Sequence, residues 1–236
     1  MTSQDPTLPK PITPRLTPLR GPAATATTLI GATCLVGIAS AWSDWHRYGV
    51  VDDYVAARPG VLVADLNRAD SISVTVGVLY LCTLVAAGVA FVVWLSRARS
   101  NAELINGAAH RRSRGWLVGG WICPVVNLWF PYQVVDDVWR TSDPDTPADL
   151  HSVADLPRTP RVLRWWLVFL SIDLGSVWLY LSGDEDIVRS LRETAVLNTV
   201  TTVLLCAAGV FAAQILRQIT EWQAIPRPPR EEWRRT

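Results

Sequence analysis

Four apolar runs, at about 23–43, 72–95, 165–183 and 195–216, hold a single charged residue between them, Asp173. A helix rises about 1.5 Å per residue, so about 20 residues cross a hydrocarbon core of about 30 Å. Each run is long enough to do so. A water-soluble domain has no need of four such runs, and the composition agrees: half of the residues are hydrophobic, 18% are charged and the mean hydropathy is +0.20. The expected fold class is all-α, a polytopic membrane protein with four transmembrane helices.

A fifth stretch is harder to place. Residues 115–135, "GWLVGGWICPVVNLWFPYQVV", carry no charge. Yet Gly119-Gly120 weaken a helix, and Pro124 and Pro131 each remove a backbone donor and disfavour helix in the preceding residue. Broken backbone at membrane depth is tolerated only against protein or water. Trp116, Trp121, Trp129, Tyr132 and Trp139 are residue types that settle at the headgroup level. After Pro131, "YQVVDDVWR" predicts a short amphipathic helix with Val134, Val135, Val138 and Trp139 on one face and Asp136–Arg140 as an i,i+4 pair.

Charge distribution separates the alternatives. With four spans, 17 of the 22 basic residues fall on one side, in the two tails and the central loop. A fifth span at 115–135 erases that bias. The positive-inside rule therefore predicts four spans, cytoplasmic termini and a re-entrant or interfacial element at 115–140. The basic stretch 110–114, "HRRSR", is expected to meet anionic headgroups of the lipid bilayer. Around this core lie a Pro-rich cytoplasmic tail (1–22), a membrane domain (23–220), a linker (141–160) and a basic cytoplasmic tail (221–236). The tail has six prolines in its first 22 residues and no apolar leader core, so no cleavable signal is expected. The loop 44–70 is expected outside, with short helical pieces near Pro59-Gly60.

The sequence "WLSRARSNAELI" followed by "HRRSRGWLVGGWICPVVNLWFPYQVVDDVWR" and two further spans resembles actinobacterial membrane proteins grouped as domain of unknown function 4328. The resemblance covers roughly residues 25–220. It implies an architecture and no reaction. This chain departs from the expected pattern at Phe130, where a basic residue is expected, and at the double acid Asp136-Asp137.

Asp173 falls near the midplane of its run, where a carboxylate usually faces the bundle interior and has a partner. It and Asn127 form the candidate intramembrane polar site, with Tyr80, Thr83 and Ser171 as further partners. Arg114, Gly115, Trp116, Gly119, Gly120, Trp121, Pro124, Asn127, Trp129, Pro131, Tyr132 and Gln133 form the candidate re-entrant motif. Small residues at four-residue spacing (Thr33, Gly37 and Ala41; Ala86 and Ala90; Gly209 and Ala213) predict close helix packing.

Catalytic signatures are missing. There is no GxSxG, HExxH, Walker A or GxGxxG, and the three histidines fall in separate loops. Cys34, Cys82, Cys123 and Cys206 form no CxxC pair. The expectation is a non-enzymatic module of a bacterial plasma membrane, without metal, cofactor or nucleic acid, acting through lipid, a membrane-protein partner or a second copy. The alternatives are a small transporter or channel using Asp173 and the broken segment, and a membrane-embedded enzyme.

Overall fold

The computed structural model describes residues 16–107, 109–146, 152, 153, 156, 159–182 and 186–226, without the side chains of 173–182. Most of the N-terminal tail, much of the linker, the loop 183–185 and the basic tail beyond 226 lie outside the described residues. Within them the chain is helical: α1 (Arg20–Val55), α2 (Val63–Ile105), α3 (Trp116–Ile122), a 3-10 turn (Val126–Leu128), α4 (Phe130–Ser142), α5 (Pro160–Ser182) and α6 (Ile187–Gln223).

Three of these helices, α1, α2 and α6, are long and apolar enough to cross a membrane. Their surfaces say why they need one. Only 11% of the most apolar window of α2 is buried against protein, and Val74, Val78, Leu81, Val85 and Val89 are all exposed. An apolar surface this continuous is costly in water and marks a membrane-facing or protein-facing surface. The fourth apolar run lies in α5, a helix of 23 residues that packs along α6.

The helices outrun the apolar windows. At 36, 43 and 37 residues, α1, α2 and α6 extend to about 54, 65 and 56 Å. The expected short pieces between 44 and 70 are instead the continuing ends of α1 and α2, joined by a tight turn over 56–62. Once a helix is nucleated, each further residue adds a hydrogen bond at little cost. Contacts across the pair hold the extensions: Arg47 ion-pairs with Asp70 at 2.9 Å, and Ser73 donates to the Ser43 carbonyl. Gly60 makes the turn at φ +94°, a conformation that favours glycine.

α1 is the middle helix, with α2 on one side and α6 on the other, and α5 lies beyond α6. Thr33, Gly37 and Ala41 are buried along α1. The closest approach is at Gly209 of α6: a Cβ there would stand 3.0 Å from Ile30 Cγ2 and 3.2 Å from Cys34 Sγ.

At one end of the bundle the start of α1 and the ends of α2 and α6 converge. The Asn101 side chain accepts from the Thr17 amide at 2.8 Å and donates to the Thr17 carbonyl at 2.9 Å. Trp94 Nε1 donates to Thr220 Oγ1, and Gln223 Nε2 to the Ala98 carbonyl. The largest buried side chains gather there, among them Trp94, Leu95, Leu216, Ile219 and Val162. The described residues between α2 and α5 fold onto this same end.

The Gly209 contact predicts that Gly209→Val overpacks the α1–α6 seam and costs about 1–3 kcal/mol. Gly88→Ala, with open space around it, serves as the control. Thermal unfolding in detergent checks this, and equal melting of the two variants would refute the contact.

Candidate functional site

The broken segment is built by its prolines and glycines. Cys123 closes α3 in an extended conformation (ψ 113°), as a residue before proline should. After the 3-10 turn, Trp129 (φ −144°) starts α4, with Pro131 in its first turn, where a missing amide donor costs nothing. α3 and α4 then pack closely. A Cβ on Gly120 would meet Phe130 Cβ at 3.3 Å and the Pro131 ring at 3.6 Å.

Aromatic side chains fix the segment against the bundle. Trp121 meets Phe91, Trp166 and Phe169, each with ring centres 6.0 Å apart and near-perpendicular planes. Trp166 Nε1 donates to the Leu128 carbonyl at 2.8 Å. Trp116 stands edge-on to Phe130 at 4.6 Å, and Trp129 also meets Phe130. Val118, Ile122, Val125, Leu128 and Trp129 are left exposed, so one side of the segment is an apolar surface beside the ends of α2 and α5.

α4 is more enclosed than the short amphipathic helix read from its sequence. Val134, Val135, Val138 and Trp139 are buried as expected, but so are Asp136 (0% exposed), Asp137 (1%) and Arg140 (5%). α2, α5 and α6 pack against it, and the loop after α2 closes what remains. The i,i+4 pair forms, with Arg140 Nη2 2.6 Å from Asp136 Oδ2, but in the interior rather than in water.

Buried carboxylates require partners, and Arg111 is the main one. Its Nε donates to Asp137 Oδ1 at 2.6 Å, its amide to Asp137 Oδ2 at 2.8 Å and its Nη2 to Asp136 Oδ2 at 2.7 Å. Arg99, 4% exposed, donates to the carbonyls of Arg112 (2.5 Å) and Ser113 (3.2 Å) and pairs with Glu103 at 2.9 Å. Glu103 also pairs with Arg114. Arg112 donates to Gln133 Oε1 at 2.7 Å and lies 3.8 Å from the centre of the Phe130 ring. Arg140 reaches the Leu156 carbonyl at 2.9 Å. Alternating charges thus run from α2 through the 111–114 loop into α4 and on to the linker.

Within this ladder burial raises the Asp137 carboxyl above its usual range, with Arg111 opposing. His110 is pushed down to about 4 by burial and by Arg99, with Arg111 and Arg114 adding and Glu103 opposing. Both of its ring nitrogens are buried without a hydrogen-bond partner among the described residues.

The other sequence-predicted residues fall outside this network. Asn127 sits in the 3-10 turn, its Oδ1 buried without a partner among the described residues. Asp173 lies on α5, but its side chain lies outside the described residues. Thr83 and Ser171 donate to carbonyls of their own helices. Pro124 and Gly115 are exposed turn residues, and Tyr132 packs against the core. Arg99, Asn101 and Gln223 were missed by sequence reasoning, and so was the pairing of Arg111 with Asp137, each noted only within the basic stretch 110–114 and the double acid. Their only signal was two adjacent acids inside an otherwise apolar helix. No group of three metal-ligating side chains occurs among the described residues.

A domain of unknown function, DUF4328, matches residues 59–221. The chain belongs to the DUF4328 family. No curated protein and no solved structure matches it. The DUF4328 region contains the whole ladder from Arg99 to Arg140 and leaves α1 outside. Within it, Phe130 lies under Arg112, and Asp136 and Asp137 meet Arg111.

Arg111→Met would leave the buried Asp136 paired with Arg140 alone and the buried Asp137 with the residue-111 amide but no guanidinium. A loss of about 3–5 kcal/mol is expected, largely restored by adding Asp137→Asn, and equilibrium unfolding in detergent measures both. His110 adds a pH dependence. Its folded pKa lies below its unfolded value of 6.5, so the unfolded chain takes up the proton first. Stability should hold above pH 6.5 and fall toward pH 4. His110→Gln should flatten that fall, and an unchanged pH slope would contradict the burial of His110.

Proposed function

We propose that this protein is a non-enzymatic, four-span module of a bacterial plasma membrane, with α5 as the fourth span and both termini cytoplasmic. It would act through lipid or membrane-protein contacts made by the folded cap at the cytoplasmic end. The observation that carries this reading is the arrangement of helix ends. The start of α1 and the end of α2 meet the end of α6 at one end of the bundle, where α4 and α5 join them. Arg97, Arg99, Arg111, Arg112, Arg114, Arg140, Arg161, Arg164 and Arg217 lie on the elements that gather at that end, whereas Arg47, Arg68, Arg189 and Arg192 lie on the helix extensions at the other, and Arg58 in the turn there. This asymmetry supports the orientation.

The exposed apolar side of the broken segment supports shallow insertion. Trp121 contacts Phe91 and Phe169, both within one or two turns of the ends of their apolar runs. The segment then dips into the cytoplasmic leaflet and returns. Arg111 and Arg112 are spent on internal partners, so of the basic loop Arg114, its side chain 68% exposed, remains the one best placed for headgroups.

Single cysteines in a background lacking the four native ones test the topology in intact cells. Residues 60 and 187 should react with an impermeant thiol reagent from outside, and residues 145 and 225 should not. External labelling of residue 145 would defeat both the orientation and the re-entrant segment.

A further inference from the structure

A cleft of about 420 Å³ opens between the start of α5 and the end of α6, away from the charge ladder. Its walls carry Arg161 and Arg164 from α5 and Gln214, Arg217 and Gln218 from α6, and its apolar lining includes Trp139 and Phe211. Glu221 also lines it and accepts from Arg217 Nε at 2.8 Å; among the described residues the two Nη groups of Arg217 have no carboxylate partner. Neither Arg161 nor Arg164 has a carboxylate partner among the described residues, and both are exposed. Three guanidiniums against one carboxylate leave the cleft with a net positive charge.

Its position matters as much as its charge. Arg164 immediately precedes the apolar run of α5, and Arg217 immediately follows that of α6. The basic wall therefore stands where both hydrocarbon-length runs end. Phe211, about 9 Å along α6 from Arg217 on the apolar side, continues the cleft toward the bilayer interior. A phosphate held at the arginines would have its attached chains lying over aromatic and aliphatic surface. A soluble anion has no use for that part of the cleft.

We propose that this cleft binds the headgroup of an anionic phospholipid, its phosphodiester held by Arg161, Arg164 and Arg217 and its acyl chains running past Phe211. Planar guanidiniums suit the task, since each offers paired N–H donors to two phosphate oxygens. Gln214 and Gln218 add neutral donors for the polar part of the headgroup. Basic pockets between membrane helices recognise acidic lipids by this chemistry. The proposal rests on the membrane reading above and adds to it a defined ligand class and place.

The full-length protein, purified in mild detergent, is mixed with phosphatidylglycerol or phosphatidylcholine and examined by native mass spectrometry. Retention of one phosphatidylglycerol, with little phosphatidylcholine, is expected. Each arginine near a membrane surface contributes roughly a fivefold gain in affinity, so Arg161→Gln/Arg164→Gln/Arg217→Gln should weaken retention about a hundredfold. The control Arg20→Gln/Arg97→Gln, at the same end of the bundle but outside this cleft, should keep it. Thermal unfolding of both variants separates lost binding from lost fold. If the triple variant unfolds, Arg164→Gln alone should still weaken retention about fivefold. Equal loss in the control would mean diffuse attraction and would overturn the proposal. So would unchanged retention in the triple variant, or displacement of the lipid by millimolar inorganic phosphate, which would mark a free-anion site. The thiol labelling above can fail while arginine-dependent retention stands, so the two readings fall separately.

Discussion

Arg111 against Asp136 and Asp137 is the interaction on which the cap depends. Two adjacent carboxylates on a short helix would by themselves keep that helix in water. Here α4 is enclosed instead, because the loop from α2 returns a guanidinium to both acids and a backbone amide to Asp137. Net stability need not be the result, since taking charges out of water costs about as much as pairing them returns. What the ladder supplies is position. Arg99 fixes the loop to α2, Arg111 fixes it to α4 and Arg140 carries the hold into the linker.

That anchoring explains how an apolar, broken segment can end beside the bundle rather than through it. Prolines and glycines deny the stretch a continuous helix, and the charges at each end tie it to a polar cap. Between them, Trp121 and the Trp166–Leu128 hydrogen bond dock it against α2 and α5. Ile122, Val125 and Leu128 are left exposed.

Much of the architecture was legible because hydrophobic runs of membrane length leave little choice. The helical nature, the break at Pro124, the helix after Pro131 and the Asp136–Arg140 pair were all readable locally. The family was legible too, from the unusual 110–140 stretch. Helix length was not, because 44–55 and 63–71 lack the apolar signal and are held by contacts such as Arg47–Asp70. The burial of α4 was also invisible. Its second face is covered by residues far away in sequence, Arg111 through the loop and Gln223 through Ser142, and no periodicity in α4 announces them. Asp173 drew attention as a lone charge in an apolar run, whereas the charges that organise the described structure lie just outside the runs.

Hydrogen exchange in lipid nanodiscs tests the central claim most directly. If α4 is a buried element held by the ladder, the amides of 134–142 should exchange as slowly as those of the α2 and α6 spans. Arg111→Met should release α4 and the 109–115 loop while leaving those spans protected. Rapid exchange of 134–142 in the wild-type protein, or protection of α4 unchanged by Arg111→Met, would contradict the account.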